Sequence, residues 1–248
     1  MNRLCNLLST WINKSSTPSE LANATPSGYT LSYPRTTKNH FSDKTLGDGT
    51  AFLILDSISI ILNPSHNNKA FECSSVTLKL PSSILTVFNI YRPPSSSKYS
   101  QLISVFLDEF KFFLSSAATT PHEFIITGDF NIHLNDHLDS SSQQLTDLLS
   151  STNLTQHVSV PTHIHNHTLY LVITSSHTNL SPTISQSFIT VSDHFLFSLT
   201  STLHLQLLLL LLNLPSIEPK TLISSNSITT SLHPTLHPLH PAPSYITT

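Results

Sequence analysis

Short apolar and β-branched runs, separated by Ser, Pro and Asn clusters, fill the chain from Thr50 to about residue 200. Thr50–Leu55 and Ile58–Leu62 are two such runs, Val76–Leu80 alternates, and Leu85–Tyr91 follows. Runs of this kind predict strands. Leu102, Val105, Phe106, Phe110 and Phe113 recur at spacings of three and four, which gathers them on one face of a predicted helix. Glu123–Asp129 predicts a buried strand running into a Gly turn. Leu145, Leu148 and Leu149 predict a second helix, with Ser141 or Ser142 near its N-cap. Thr168–Thr174 and Phe195–Thr200 are the last predicted strands. Strands interleaved with helices predict an α/β layered domain ending near residue 200.

The two ends have a different texture. Residues 13–48 are polar and rich in turn formers (Pro18, Pro26, Gly28, Pro34, Gly47), and predict loop with room for one short strand. Leu207–Leu212 is an unbroken leucine run, and Leu232-His233-Pro234, Leu236-His237-Pro238 and Leu239-His240-Pro241 form a degenerate repeat. Pro-rich low-complexity sequence cannot bury a core, so the tail is predicted to be disordered. The chain thus divides into a domain over residues 1–200 and a tail over 201–248. Phe195–Ile217 lacks Asp, Glu, Lys and Arg, but Thr, Ser, His204, Gln206 and Asn213 interrupt it. A bilayer span needs ~20 predominantly apolar residues, so a membrane anchor is the weaker reading of this segment.

Hydrophobic residues make up 38% of the chain, enough for a core, while charged residues make up only 10%. With 11 Lys and Arg against 14 Asp and Glu, the chain lacks the basic footprint that drives phosphate binding by counterion release. Any DNA contact must then be local or metal-mediated. Two cysteines, Cys5 and Cys73, cannot build a disulfide framework and predict reduced thiols. Met1–Leu8 carries one positive charge and too short an apolar run for a signal peptide. A nuclear or cytoplasmic, non-secreted protein is predicted, and glycosylation sequons such as Asn153-Leu154-Thr155 then carry no meaning.

Three separated pieces hold the candidate chemistry. They are Gly128-Asp129-Phe130-Asn131 after an apolar strand, Ser192-Asp193-His194 before the last one, and Asn89-Ile90-Tyr91-Arg92-Pro93-Pro94 at an earlier strand's end. Phosphodiester hydrolysis needs an attacking water, a base, and positive charge against the phosphate oxygens. A hard cation such as Mg²⁺ takes carboxylate and water oxygens and stabilises the developing charge. A His accepts a proton near neutral pH when a partner holds it in the correct tautomer.

These pieces resemble the endonuclease/exonuclease/phosphatase superfamily, and most closely its LINE-type (non-LTR) retrotransposon endonucleases, which look like apurinic endonucleases. The resemblance covers about residues 7–200. It rests on Gly49–Ile54, Leu85–Pro94, Phe124–His133, Leu154–Val158, His167–Thr174 and Ser192–Phe195, in the family's order. It implies a layered, DNase I-like α/β sandwich, Mg²⁺ as cofactor and DNA as partner. It implies that Asp129 and Asn131 position water and phosphate, and that His194 contacts the phosphate or acts as base. Asp193 would support metal or water, and Tyr91 would contact the phosphate. Asp193 and Asp129 are the implied metal ligands.

Three departures qualify that carry-over. Ser9, in Ser9-Thr10-Trp11-Ile12, stands where the family has its metal-binding Glu. Tyr170 stands where the family has the Asp that orients the catalytic His. The family's first strand, with its Asn, is expected to be missing, leaving a truncated copy with an open sheet edge. The expectation is an impaired endonuclease; a non-catalytic remnant is the alternative. His163, His165 and His167 alternate, so a strand would put them on one face as a metal site. The competing reading is exposed His in a polar loop with no acidic partner nearby. Tyr91 also reads as a plain strand aromatic, and His194 as a surface His.

Overall fold

The computed structural model describes residues 3–10, 19, 22, 25–32, 50–63, 66, 68–95, 102–190, 193–202 and 206–212. Strands β1 (Arg3–Thr10), β2 (Tyr29–Ser32), β3 (Thr50–Leu55), β10 (Thr183–Thr190), β11 (Phe195–Thr200) and β12 (Gln206–Leu212) form one sheet, in the order β10-β11-β12-β1-β3-β2. Strands β4 (Ser59–Leu62), β5 (Glu72–Lys79), β6 (Ile84–Tyr91), β7 (Glu123–Asp129), β8 (Leu154–Gln156) and β9 (Tyr170–Ser175) form the other, in the order β4-β5-β6-β7-β9-β8. Helices α1 (Ile103–Ala117) and α2 (Ser140–Ser151) complete the described elements. This is the layered α/β sandwich predicted from the sequence.

Period-2 alternation in the second sheet sorts side chains into two cores. Leu85 and Val87 of β6, Ile125 of β7 and Val172 of β9 join Phe52, Ile54, Phe197 and Leu199 of the first sheet in a layer between the sheets. Phe88, Ile90, Phe124, Ile126, Leu171 and Ile173, one residue out of phase, pack against the helices. The α1 stripe Phe106, Phe110 and Phe113 faces this second layer, where Phe71 and Phe130 meet it edge-on. Phe112, off the stripe, is 83% exposed, which fixes the buried face of the helix.

Helix α2 is capped two or three residues earlier than a cap at Ser141 or Ser142 predicts. Asp139 is the N-cap, and its carboxylate accepts from the Ser141 N–H. A carboxylate is the stronger acceptor there and suits the positive end of the helix dipole.

The leucine run, assigned to the tail on sequence grounds, lies within the first sheet. Strand β12 pairs parallel with β1 and antiparallel with β11, so it occupies the edge that a missing first strand was expected to leave open. The described residues therefore carry the sheet past the boundary set at residue 200. The Leu-His-Pro repeats lie outside the described residues. Among the described residues, no helix is long and apolar enough to cross a membrane.

The topology brings three strand ends to one edge of the sandwich. Tyr91 closes β6, Asp129 closes β7 and Tyr170 opens β9, with Tyr91 paired to Asp129 and Asp129 paired to Tyr170 in register. The alternation turns all three toward the first sheet.

Candidate active site

Gly128 sets the position of Asp129. At φ +134° its backbone lies where side-chain-bearing residues are strained, and an added Cβ would fall 1.9 Å from the Ile90 carbonyl oxygen. Only glycine lets β7 approach β6 this closely. Beyond it the chain turns sharply. The Asp129 carboxylate accepts from the Asn131 backbone N–H (3.2 Å), an Asx turn, and Asn131 takes the left-handed conformation at φ 49°. The Asn131 amide donates to the Arg92 carbonyl (2.7 Å), and Arg92 Nη1 donates back to the Asn131 carbonyl (3.0 Å). The Arg92 guanidinium lies over the Phe106 ring, 5.3 Å from its centroid.

Asp193 and His194 arrive from the other sheet, immediately before β11. An isolated antiparallel bridge joins His194 to His163. The Ile164 N–H donates to the Asp193 carbonyl (2.9 Å), and the Phe195 N–H to the Thr162 carbonyl (3.0 Å). Thr162 is fully buried and positions a second element. Its hydroxyl accepts from the Leu169 and Tyr170 N–H groups (2.8 and 3.1 Å), tying the start of β9 to the same segment. The Tyr170 ring meets His194 edge-on, with centroids 5.3 Å apart.

The five residues singled out in the sequence therefore gather at one end of the sandwich. Tyr91, Asp129 and His194 are buried, Asn131 is half-buried and Asp193 is exposed. Burial pushes the Asp129 carboxyl up to about 7; hydrogen bonds from Asn131 and the charge of Arg92 oppose this, while the nearby Asp193 charge adds to it. Burial lowers His194 to about 4, against the attraction of Asp193. Asp193 itself lies below its ordinary value. Burial would raise it, but the charge of His194, a backbone hydrogen bond and the His163 ring outweigh that.

His163 was missed in its role. The sequence reading found no acidic partner near it, but Asp193, thirty residues away along the chain, lies 3.4 Å from its Nε2. His163, His165 and His167 do not lie on a strand. They form a tight turn closed by bonds from the Thr162 and His163 N–H groups to the His167 carbonyl, with Asn166 at φ 63°. His167 stacks on His133, with centroids 3.9 Å apart. Thr162 was also missed, because a lone Thr between His and Pro residues gives no periodic signal.

Chemically, a carboxyl poised near neutral pH can take a proton from water, and an amide beside it can orient that water. A metal is harder to place. Mg²⁺ wants hard oxygen donors. Among the described residues, the metal-ligating side chains that converge are two imidazoles and one carboxylate, His163, His194 and Asp193. Asp129, the other implied ligand, is buried, and burial pushes its carboxyl up to about 7. The donor set does not fit Mg²⁺. Ser9, the residue that stands in sequence where the resemblance implies a carboxylate, pairs with Thr50 in the β1–β3 register.

Comparison with known proteins places these residues in a family context. Residues 85–198 match the endonuclease-reverse transcriptase family. The fold is similar to the endonuclease domain of TRAS1, a telomere-specific non-LTR retrotransposon (TM-score 0.58, 18% identity, covering 82% of this chain and 100% of that one). It is also similar to an AP endonuclease from Archaeoglobus fulgidus (TM-score 0.52, 11% identity, 80% and 88% covered). An endonuclease/exonuclease/phosphatase family protein from Leptotrichia buccalis is a third (TM-score 0.51, 9% identity, 80% and 99% covered). A comparison with curated protein sequences yields no match.

Proposed function

The chain has the endonuclease/exonuclease/phosphatase fold, and its residues 85–198 match the endonuclease-reverse transcriptase family; from this premise we propose that it is a phosphodiester-hydrolysing DNA endonuclease domain of the LINE type with much reduced activity. The carrying observation is the gathering of Asp129 and Asn131, from one sheet, with Asp193 and His194, from the other. Asp129 takes the proton from the attacking water, since its value of about 7 matches a neutral medium. Asn131 fixes the turn that aims it. His194, at about 4, stays neutral and is a weak base; it contacts the phosphate as a hydrogen-bonding group. No step is assigned to Mg²⁺, because the converging donors do not suit it.

The reduction in rate follows from two replacements. Ser9 removes an anionic ligand, and Tyr170 removes the carboxylate that would orient and charge His194. Losing one preorganised electrostatic group typically costs about 10²–10³ in rate, and such losses do not add.

A second reading, a non-catalytic remnant, is favoured by the mismatch between donor set and Mg²⁺. Nicking of supercoiled plasmid separates the two. The endonuclease reading expects slow nicking, stimulated by a divalent ion and lost in Asp129→Asn. Nicking that survives Asp129→Asn, or none in any ion even with Ser9→Glu, leaves the remnant reading standing.

A further inference from the structure

We propose that His163, Asp193 and His194 bind a divalent transition-metal ion of the Zn²⁺ type, at a site that shares Asp193 with the carboxylate pair the family resemblance implies but differs from it in its two imidazoles and in its metal preference. Their potential ligand atoms all lie within 4.8 Å of one another. His163 Nε2 is 3.4 Å from Asp193 Oδ2, and His194 Nε2 is 3.9 Å from Asp193 Oδ1. Ligands bonded at ~2.0–2.2 Å to one tetrahedral ion stand about 3.4 Å apart. The His163–Asp193 separation therefore already has that length, while the His194 contact, made to the other carboxylate oxygen, is about half an ångström longer.

The scaffold holds this geometry from both sides. The His163–His194 bridge and its flanking bonds, Ile164 N–H to Asp193 carbonyl and Phe195 N–H to Thr162 carbonyl, fix the two segments side by side. The rings stand edge to face, with centroids 4.9 Å apart, and His194 also lies against Tyr170. The Asp193 side chain is 57% exposed, while those of His163 and His194 are 12% and 8% exposed. The ion thus has a wet approach and two inner imidazoles. Two imidazoles with one carboxylate, leaving positions open to water, is a donor set for Zn²⁺, Fe²⁺ or Co²⁺; Mg²⁺ and Ca²⁺ prefer oxygen throughout.

One contact must change. His163 Nδ1 accepts from the His165 backbone N–H (3.2 Å), so in the metal-free protein the ring proton sits on Nε2, facing Asp193. Metal binding at Nε2 moves the proton to Nδ1 and returns the His165 N–H, in an exposed turn, to water. That exchange is cheap because the freed donor is solvated.

The inference concerns ion binding and stands even if the nuclease reading fails. The test uses the full-length protein, with Co²⁺ as a visible-absorption probe and no DNA present. The expected result is one Co²⁺ per chain with a d–d band, displaced by Zn²⁺ and resistant to excess Mg²⁺. His163→Gln and Asp193→Asn should each weaken that site by at least about a hundredfold, beyond the 10–100-fold typical of outer-shell changes. Asp193 is exposed, so its variant keeps the test valid if His163→Gln misfolds. His165→Gln, which keeps the backbone N–H, should leave the band unchanged. The proposal is overturned if no band forms, or if it persists in both ligand variants. It is equally overturned if Mg²⁺ competes as well as Zn²⁺, or if His165→Gln abolishes the band.

Discussion

Arg92 and Asn131 hold each other across the ends of β6 and β7 through reciprocal hydrogen bonds. The Asn131 amide donates to the Arg92 carbonyl at 2.7 Å, and the Arg92 guanidinium donates to the Asn131 carbonyl at 3.0 Å. Because Asn131 also donates its backbone N–H to Asp129, this clasp keeps the Asp129 carboxyl aimed. Asn131 sits at φ 49°, a conformation Asn tolerates better than Ala. Asn131→Ala loses the amide bond and meets the left-handed penalty, together about 2 kcal/mol. Asn131→Gly escapes the steric penalty and should be the milder change. Urea midpoints check the order; an Ala variant more stable than the Gly variant would sink this account.

Gly128 should be far less tolerant. The Cβ of Gly128→Ala would fall 1.9 Å from a backbone oxygen, which no side-chain motion relieves. The expected cost is on the order of 4 kcal/mol or more, the range of outright steric failure. Gly28→Ala is the control. Gly28 has φ +83° but nothing within 4 Å of the added Cβ. It should lose only about 1 kcal/mol, the left-handed penalty alone. Thermal unfolding of the two variants compares them directly, and equal losses would contradict the close approach.

Asp129 makes the fold less stable as the medium becomes neutral. Its folded value is about 7, against an ordinary 3.8 in the unfolded chain. Between those limits the folded state holds the proton and the unfolded state does not, so stability falls as pH rises. The full effect is about 4 kcal/mol. Asp129→Asn removes it. The variant should match the parent near pH 4 and be more stable above pH 7, while losing any nicking activity. A stability gap that stays constant from pH 5 to pH 8 would show that Asp129 ionises freely.

His194 produces the opposite slope. Its folded value of about 4 lies below the ordinary 6.5. As pH falls below 6.5 the unfolded chain protonates first, so stability is present above that value and is lost toward pH 4. The magnitude is up to about 3 kcal/mol. Asp129 and His194 therefore offset each other, and the parent's stability should vary little between pH 4.5 and 6.5. His194→Gln should uncover the falling slope of Asp129, and Asp129→Asn the rising slope of His194. Parallel pH curves for the two variants would refute the opposition.

Much of this site is legible in the sequence because its residues sit at strand ends whose apolar periodicity announces them. Leu85–Tyr91 and Glu123–Asp129 read as short buried strands, and with their register known, parity along each strand puts Asp129 on the face of Tyr91. The pairing of β1 with β12 was not legible. It joins residues 3–10 in parallel to residues 206–212, some two hundred residues away, and a run of leucines carries no period to say which face is buried. The partnership of His163 with Asp193 was hidden for a related reason. It is made by a bridge between a turn and a pre-strand segment, neither of which has a hydrophobic pattern.

Tyr170→Asp tests what the departure at that position costs. Tyr170 is 5% exposed and lies opposite Asp129 in register, with its ring against His194. The substitution has two consequences that pull apart. A carboxylate beside His194 favours the imidazolium, so the His194 value should rise from about 4 toward the ordinary range. The same carboxylate stands next to Asp129, and two close carboxyls cannot both ionise, so Asp129 should climb above about 7. Removing the buried ring also leaves a cavity, at about 3–5 kcal/mol for large aromatic truncations. The single variant should therefore be less stable than the parent yet carry a more basic His194, with any nicking optimum shifted to higher pH. Restored rate would further require Ser9→Glu, because orienting His194 does not supply a missing metal ligand. Titration of the His194 ring by NMR decides the point. A value still near 4 in a folded Tyr170→Asp protein would mean that burial alone governs His194, and that the tyrosine is not what separates this site from an active one.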